Sequence, residues 1–262
     1  KHRLYQGYYY TQDMETCLME SRGPITDIDY SNTYNKTFLN QSDGIKNLEN
    51  QHIKFGDALA AICYAYDIDY ETMLEHFPEV RHRERYHGDK YSVQDQMDFV
   101  KQHAKRTPKN VLEIGAGRGE VTLFLTAMGC NVTAIEPSTD FVDLITDTAQ
   151  KLYPTTALDE YEYINKPIHQ SDIDYTKYDT IMLVESLEHI LPKDFDPEWE
   201  KINNNFKGYF IVVNWKSYHP IAIGQYASRE VHCRLVNDSL FNTYCKGHTT
   251  KVRDKSHLCV EL

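Results

Sequence analysis

The chain has 262 residues, 41% hydrophobic and 26% charged, with a formal net charge of −11. That length and apolar content suffice for a packed core and exclude global disorder, and no apolar run approaches the ~20 residues needed to span a bilayer. The acidic balance gives no general attraction to nucleic-acid backbones or anionic lipid, which disfavours both as partners.

The opening "KHRLYQGYYYTQDMETC" lacks the continuous apolar segment of a secretory leader. Cys17, Cys63, Cys130, Cys233, Cys245 and Cys259 form no CxxC pair. They read as scattered reduced thiols of a cytoplasmic protein. The first 45 or so residues are polar and rich in Tyr and Asn, and short helices and loops are expected there. From Lys46 to Tyr66 apolar residues recur at helical spacing, through Leu48, Ile53, Leu59, Ile62 and Tyr66. A second helix, "YETMLEHF", stops at Pro78. The basic cluster "RHRER" at 81–85 reads as a solvated helix face. Ser92 stands three residues before Asp95 and signals the start of a third helix. Residues 1–107 are therefore expected to be a mostly helical N-terminal region that forms a lid or substrate chamber.

Pro108 ends that region, and strand-like runs begin to alternate with helices. The strands are "NVLEIGAG", "NVTAIEP", "YEYINKPIH", "DTIMLVES" and "YFIVVNW", followed by "TTKVRD" and "HLCVEL". Five strands alternating with helices imply right-handed βαβ units, and two closing strands joined by a short turn suggest an antiparallel addition. Residues 108–262 thus predict an α/β fold with a doubly wound, mostly parallel seven-stranded sheet.

Gly115, Gly117 and Gly119 follow the first strand directly, and Glu136 ends the second. Glycines there allow a tight turn and close approach of a ligand to main-chain amides, and the acid can accept ribose hydroxyls. A P-loop would need Gly-Lys-Ser/Thr where Arg118-Gly119-Glu120 stands. A dinucleotide loop would want Gly or Ala at Glu120, whose carboxylate would repel a pyrophosphate but suits a helix N-terminus. A nucleoside without phosphates fits, and S-adenosylmethionine is such a ligand.

"VLEIGAGRGEVTLFLTAMGCNVTAIEPS" and "YDTIMLVESLEHI" resemble the first two strands and the fourth-strand signature of class I S-adenosylmethionine-dependent methyltransferases. The resemblance extends over about residues 105–262. It implies Glu113, Gly115, Ala116 and Gly117 around the methionine moiety, and Glu136 with Pro137 at the ribose. It also implies Asp172 and Ile173 at the adenine, with Asp174 as a substitute acid, and Val184 and Glu185 beneath the reacting sulfonium. The expected reaction is methyl transfer to oxygen or nitrogen of a small or medium-sized organic acceptor.

Glu185, Glu188 and His189 form an E-x-x-E-H cluster, and His232 lies further on in "EVHCRLVNDSLF". The small-RNA 3′-end 2′-O-methyltransferases use a similar pair of Glu with two His to hold a divalent ion. Glu185, Glu188, His189 and His232 are accordingly the candidate metal ligands, for Mn²⁺, Fe²⁺ or Zn²⁺ ahead of Mg²⁺. "LEH" also occurs in metal-free relatives, where it belongs to the active-site lip. Without a metal, His189 is the candidate general base, with Glu188 beside it. Trp215 and Tyr218 either line an acceptor pocket or simply pack, and Tyr8–Tyr10, Tyr86 and Tyr91 are candidate lid residues. His219, His248 and His257 read as surface or core histidines. Two rival functions stay open: a metal-assisted RNA-end methyltransferase, and a non-catalytic cofactor-binding partner subunit.

Overall fold

The computed structural model describes residues 3–5, 8–10, 29–33, 56–78, 92–152, 161–214, 236–253 and 257–262. Its first elements are β1 (Arg3–Tyr5) and β2 (Tyr8–Tyr10), paired antiparallel, and the single turn α1 (Tyr30–Thr33). The hairpin departs from the expected short helices and loops. An aromatic triplet favours a paired strand over a loop.

Three helices follow: α2 (Gly56–Ala65), α3 (Tyr70–His76) and α4 (Val93–His103). The α3 N-terminus is capped by Asp69, and its C-cap is Phe77. Ser92 and Asp95 form the complete capping box that their spacing predicts: Asp95 N donates to Ser92 Oγ, and Ser92 N donates to the Asp95 carboxylate. All ten residues of α2 are buried, and it packs on the sheet.

The sheet contains β3 (Asn110–Ile114), β4 (Asn131–Ile135), β5 (Tyr161–Ile164), β6 (Thr180–Val184), β7 (Tyr209–Val213), β8 (Thr249–Arg253) and β9 (His257–Glu261). Their order is β5-β4-β3-β6-β7-β9-β8. The first five are parallel, and β9 runs antiparallel to both β7 and β8. All seven expected strands are present, and the closing pair is antiparallel. The connecting helices are α5 (Glu120–Ala127), α6 (Thr139–Leu152), α7 (Pro192–Asn205) and α8 (Asp238–Cys245).

Strand side chains alternate between two cores, as a period of two requires. Val111, Met182, Ile211 and Cys259 pack with α2, α4 and α5 on one face. Leu112, Ile181, Leu183, Phe210 and Leu258 pack with α7 and α8 on the other. Helices from residues 56–103 therefore share a core with the sheet. Arg106 joins them at the base: its guanidinium donates to the carbonyls of Ala65 and Asp179 and to Thr180 Oγ1, and lies 4.0 Å from the Tyr209 ring centre. The order reverses between β3 and β6, so their carboxyl ends open a crevice where a doubly wound sheet binds its ligand.

Candidate active site

The crevice is built first by backbone. Beyond β3 the chain turns through Gly115, Gly117 and Gly119, all with positive φ. Gly115 has a second constraint, because a Cβ on it would collide with Ser186 Cβ. Ser186 is itself fixed, its hydroxyl donating to Ile114 O at 2.7 Å. The loops after β3 and β6 are thus pressed together, with a glycine as the only fit. At Gly117 an added Cβ would meet nothing within 4 Å, so the loop is open on that side. Gly115 and Ala116 donate their N–H groups to Ile135 O, which ties the loop to the end of β4.

Glu136 sits where that tie ends. Its Oε2 accepts from Gly117 N at 2.9 Å, and its Oε1 accepts from Ser138 N at 2.8 Å. Each carboxylate oxygen keeps a second lone pair for a ligand hydroxyl. Burial pushes the Glu136 carboxyl up to about 7, against the pull of its two backbone donors. Glu113 lies beneath the loop and accepts from Thr122 Oγ1 at 2.5 Å. Burial raises its carboxyl to about 8; Thr122 opposes that rise, and Glu120 and Glu136 add to it.

Glu120 opens α5 and pairs with Arg118 at 2.8 Å. The pairing, together with the helix N-terminus, explains how a carboxylate is held at the sixth loop position. Pro137 is half-buried beside Glu136.

The residues expected at the adenine follow β5. Asp172 is exposed, and Ile173 is half-buried and packed against the core of the α7 face. Asp174 is committed to the local backbone, accepting from Thr176 N and Thr176 Oγ1 and capping the short turn Tyr175–Lys177. Of the two acids, Asp172 is the one without that structural commitment.

At the end of β6, Val184 and Glu185 are half-buried. Glu185 has φ +50°, an uncommon conformation for a residue with a side chain, of order 1 kcal/mol or more in strain. Its N–H is anchored on Val213 O at 2.8 Å. Such strain clusters at sites where a side chain must be aimed. The turn Leu187–His189 then buries Glu188 and leaves His189 partly exposed. His189 Nε2 lies 3.5 Å from Glu188 Oε1, and Glu188 Oε2 is buried with no hydrogen-bond partner among the described residues.

Among the described residues, no three His, Cys, Asp or Glu side chains converge to hold a metal ion. Glu185, Glu188 and His189 therefore do not make such a group by themselves. His232 lies outside the described residues, as do Trp215, Tyr218, His219, Tyr86, Tyr91 and the 81–85 cluster. His248 faces Asn203 Oδ1 at 2.7 Å, and buried His257 faces the Tyr64 hydroxyl at 3.0 Å.

Some site residues escape sequence reasoning. Tyr163, on β5, reaches the Gly117 carbonyl with its hydroxyl at 3.4 Å, and burial pushes its phenol up. Asn165 donates to the Glu136 carbonyl and accepts from Thr139. The placement of Tyr163 and Asn165 at the end of the third strand of the α/β region is their one visible signal.

Residues 81–242, more than half of the chain, match the family model described as "Methyltransferase domain". No curated protein matches the chain. Solved structures that resemble it include TehB from Haemophilus influenzae, at 15% identity and TM-score 0.47, over 71% of this chain and 65% of that one. The PH0226 protein from Pyrococcus horikoshii OT3 gives 15% identity and TM-score 0.48, over 64% of this chain and 88% of that one. The Burkholderia thailandensis 1,6-didemethyltoxoflavin-N1-methyltransferase gives 17% and 0.44, over 77% and 86%. At these values the three carry no weight beside the family match and the sheet order. On those two findings, the chain belongs to the methyltransferase-domain family, with the class I fold of S-adenosylmethionine-dependent enzymes.

Proposed function

We propose that the protein binds S-adenosylmethionine in the crevice between the Gly115–Gly119 loop and the end of β6. It transfers the methyl group to oxygen or nitrogen of a small or medium-sized organic acceptor. The observation that carries this reading is the Glu136 carboxylate, tied to the open Gly117 face of the loop by a 2.9 Å hydrogen bond. No basic side chain is aimed at it from the loop, because Arg118 is engaged by Glu120 at 2.8 Å.

When bound, the cofactor supplies an already activated methyl group, so the chain's work is alignment, exclusion of water and removal of a proton. Glu136 accepts the ribose hydroxyls and Asp172 the adenine amino group, with Ile173 against the ring. Glu113, Gly115 and Ala116 hold the amino-acid end, and Val184 and Glu185 lie under the reacting centre. His189, beside buried Glu188, takes the proton that an oxygen or protonated nitrogen acceptor loses.

The proposed location is cytoplasmic, on the scattered unpaired spacing of the six cysteines; among the described residues, no helix is long and apolar enough to cross a membrane. The test is release of S-adenosylhomocysteine with a panel of amine, phenol and carboxylate acceptors, with and without Mn²⁺. The reading expects turnover with at least one acceptor without added metal, lowered about 100-fold in His189→Ala. Turnover of a short RNA added to the panel, and only with Mn²⁺, would favour the metal-assisted RNA-end reading, and tight cofactor binding without turnover of any acceptor would favour a partner subunit.

A further inference from the structure

The N-terminus of α7 is capped in an unusual way. Its N-cap is Leu191, which offers no side-chain acceptor, and Pro192 follows at the first helical position. Asp194 stands three residues after the cap, where Asp95 stands in the capping box of α4. In α4 the acid accepts the cap N–H directly. In α7 a hydroxyl from 161 residues away is inserted between them: Leu191 N donates to Tyr30 Oη at 3.0 Å, and Tyr30 Oη donates to Asp194 Oδ2 at 2.6 Å.

Tyr30 is buried, and its ring also meets that of His169, with centroids 5.8 Å apart. His169 belongs to the short turn Ile168–Gln170, which precedes Asp172 and packs on α7. His169 Nδ1 is buried with no hydrogen-bond partner among the described residues. One side chain from the N-terminal segment thus touches both loops at the open end of the sheet. The hydroxyl holds the segment that follows Glu188 and His189, and the ring braces the segment that leads to Asp172.

We infer that Tyr30 is a positioning residue whose hydroxyl fixes the Glu188–Leu191 lip and whose ring fixes the Ile168–Asp172 turn. The N-terminal segment thereby sets the geometry of that lip and of that turn. This rests on the reading of Asp172 as a cofactor contact.

The two functions separate by variant. Tyr30→Phe removes the hydroxyl and keeps the ring, and Tyr30→Leu removes both. Hydrogen exchange of residues 187–195 and 168–174 in the full chain, with titration of S-adenosylhomocysteine, reads each one. A charge-assisted hydrogen bond is worth enough to speed exchange about tenfold when lost. Tyr30→Phe is expected to show that in 187–195 while 168–174 and nucleoside affinity stay at wild-type values. Tyr30→Leu is expected to speed exchange in both segments and to weaken nucleoside binding about fivefold. Unchanged exchange in 187–195 for Tyr30→Phe would overturn the inference. So would a uniform rise across the chain in either variant, or unchanged affinity in Tyr30→Leu. If the wild type fails to bind the nucleoside, the cofactor reading falls, and the exchange data still decide the bracing by themselves.

Discussion

The two walls of the crevice are assembled in opposite ways. The β3–β4 wall is mainly local: Gly115, Gly117, Glu120 and Glu136 lie within one strand–helix–strand unit, whose own bonds from Gly117 and Ser138 to Glu136 and from Gly115 and Ala116 to Ile135 shape it, with Tyr163 and Asn165 added from the neighbouring β5 side. The β6–α7 wall is assembled at a distance. Ser186 is held by Ile114, Glu185 by Val213, and the cap of α7 by Tyr30. A locally built wall is set by short-range geometry, whereas a remotely built one takes its shape from whatever packs against it. The glycine loop and Glu136 can then stay fixed while the β6–α7 wall is altered by changes far away in the chain.

The largest expected effect breaks the contact between the walls. Gly115→Val places a branched side chain at positive φ against Ser186. S-adenosylhomocysteine binding should fall below detection by titration calorimetry, and the melting temperature should drop by at least about 5 °C. In Gly115→Ala combined with Ser186→Gly the collision is relieved, while the backbone strain stays and the Ser186–Ile114 bond is lost, so binding should return in part. A fully active Gly115→Val would mean that the walls are not in register.

The second effect separates the walls by pH. The carboxyls of Glu113 and Glu136 are raised from 4.5 to about 8 and about 7, chiefly by burial. The groups facing Glu113 are Thr122, Glu120 and Glu136; Tyr163 is nearby, and Arg118 pairs with Glu120. A raised carboxyl favours the fold in its neutral form. That contribution is complete below 4.5 and is lost as pH rises through 7 to 8. The ligand-free protein should melt at least about 3 °C lower at pH 8.5 than at pH 5.5, and Glu113→Gln should flatten the profile. S-adenosylmethionine, with its sulfonium, should offset the loss more than S-adenosylhomocysteine does. A profile that Glu113→Gln leaves unchanged would remove the buried carboxyl as its source.

The smallest effect sharpens the adenine side. Asp172→Ala should weaken nucleoside binding about fivefold with little change in melting temperature. Asp174→Ala, which strips the cap from the Tyr175–Lys177 turn, should lower the melting temperature slightly and leave affinity within twofold. The reverse outcome would exchange the two roles.

The same contrast explains what could be read from the sequence. The glycine loop, Glu136, the capping box of Ser92 and Asp95 and the seven strands were legible because each signal spans a few residues. Tyr30, Ser186 and Tyr163 were not, since their partners are fixed only once the sheet order is known. The choice between Asp172 and Asp174 was open in sequence because both follow the third strand of the α/β region, and the turn at Thr176 distinguishes them. The β1–β2 hairpin was missed because a Tyr-rich polar stretch carries no alternation of apolar and polar residues.

The most direct test of the central claim is calorimetric titration of the full chain with S-adenosylhomocysteine beside NAD⁺, repeated with Glu136→Ala. Saturable binding of the nucleoside alone is expected, weakened about 100-fold by the substitution as two hydroxyl contacts to a carboxylate are lost. Binding of NAD⁺ in its place, or nucleoside binding indifferent to Glu136→Ala, would contradict the account.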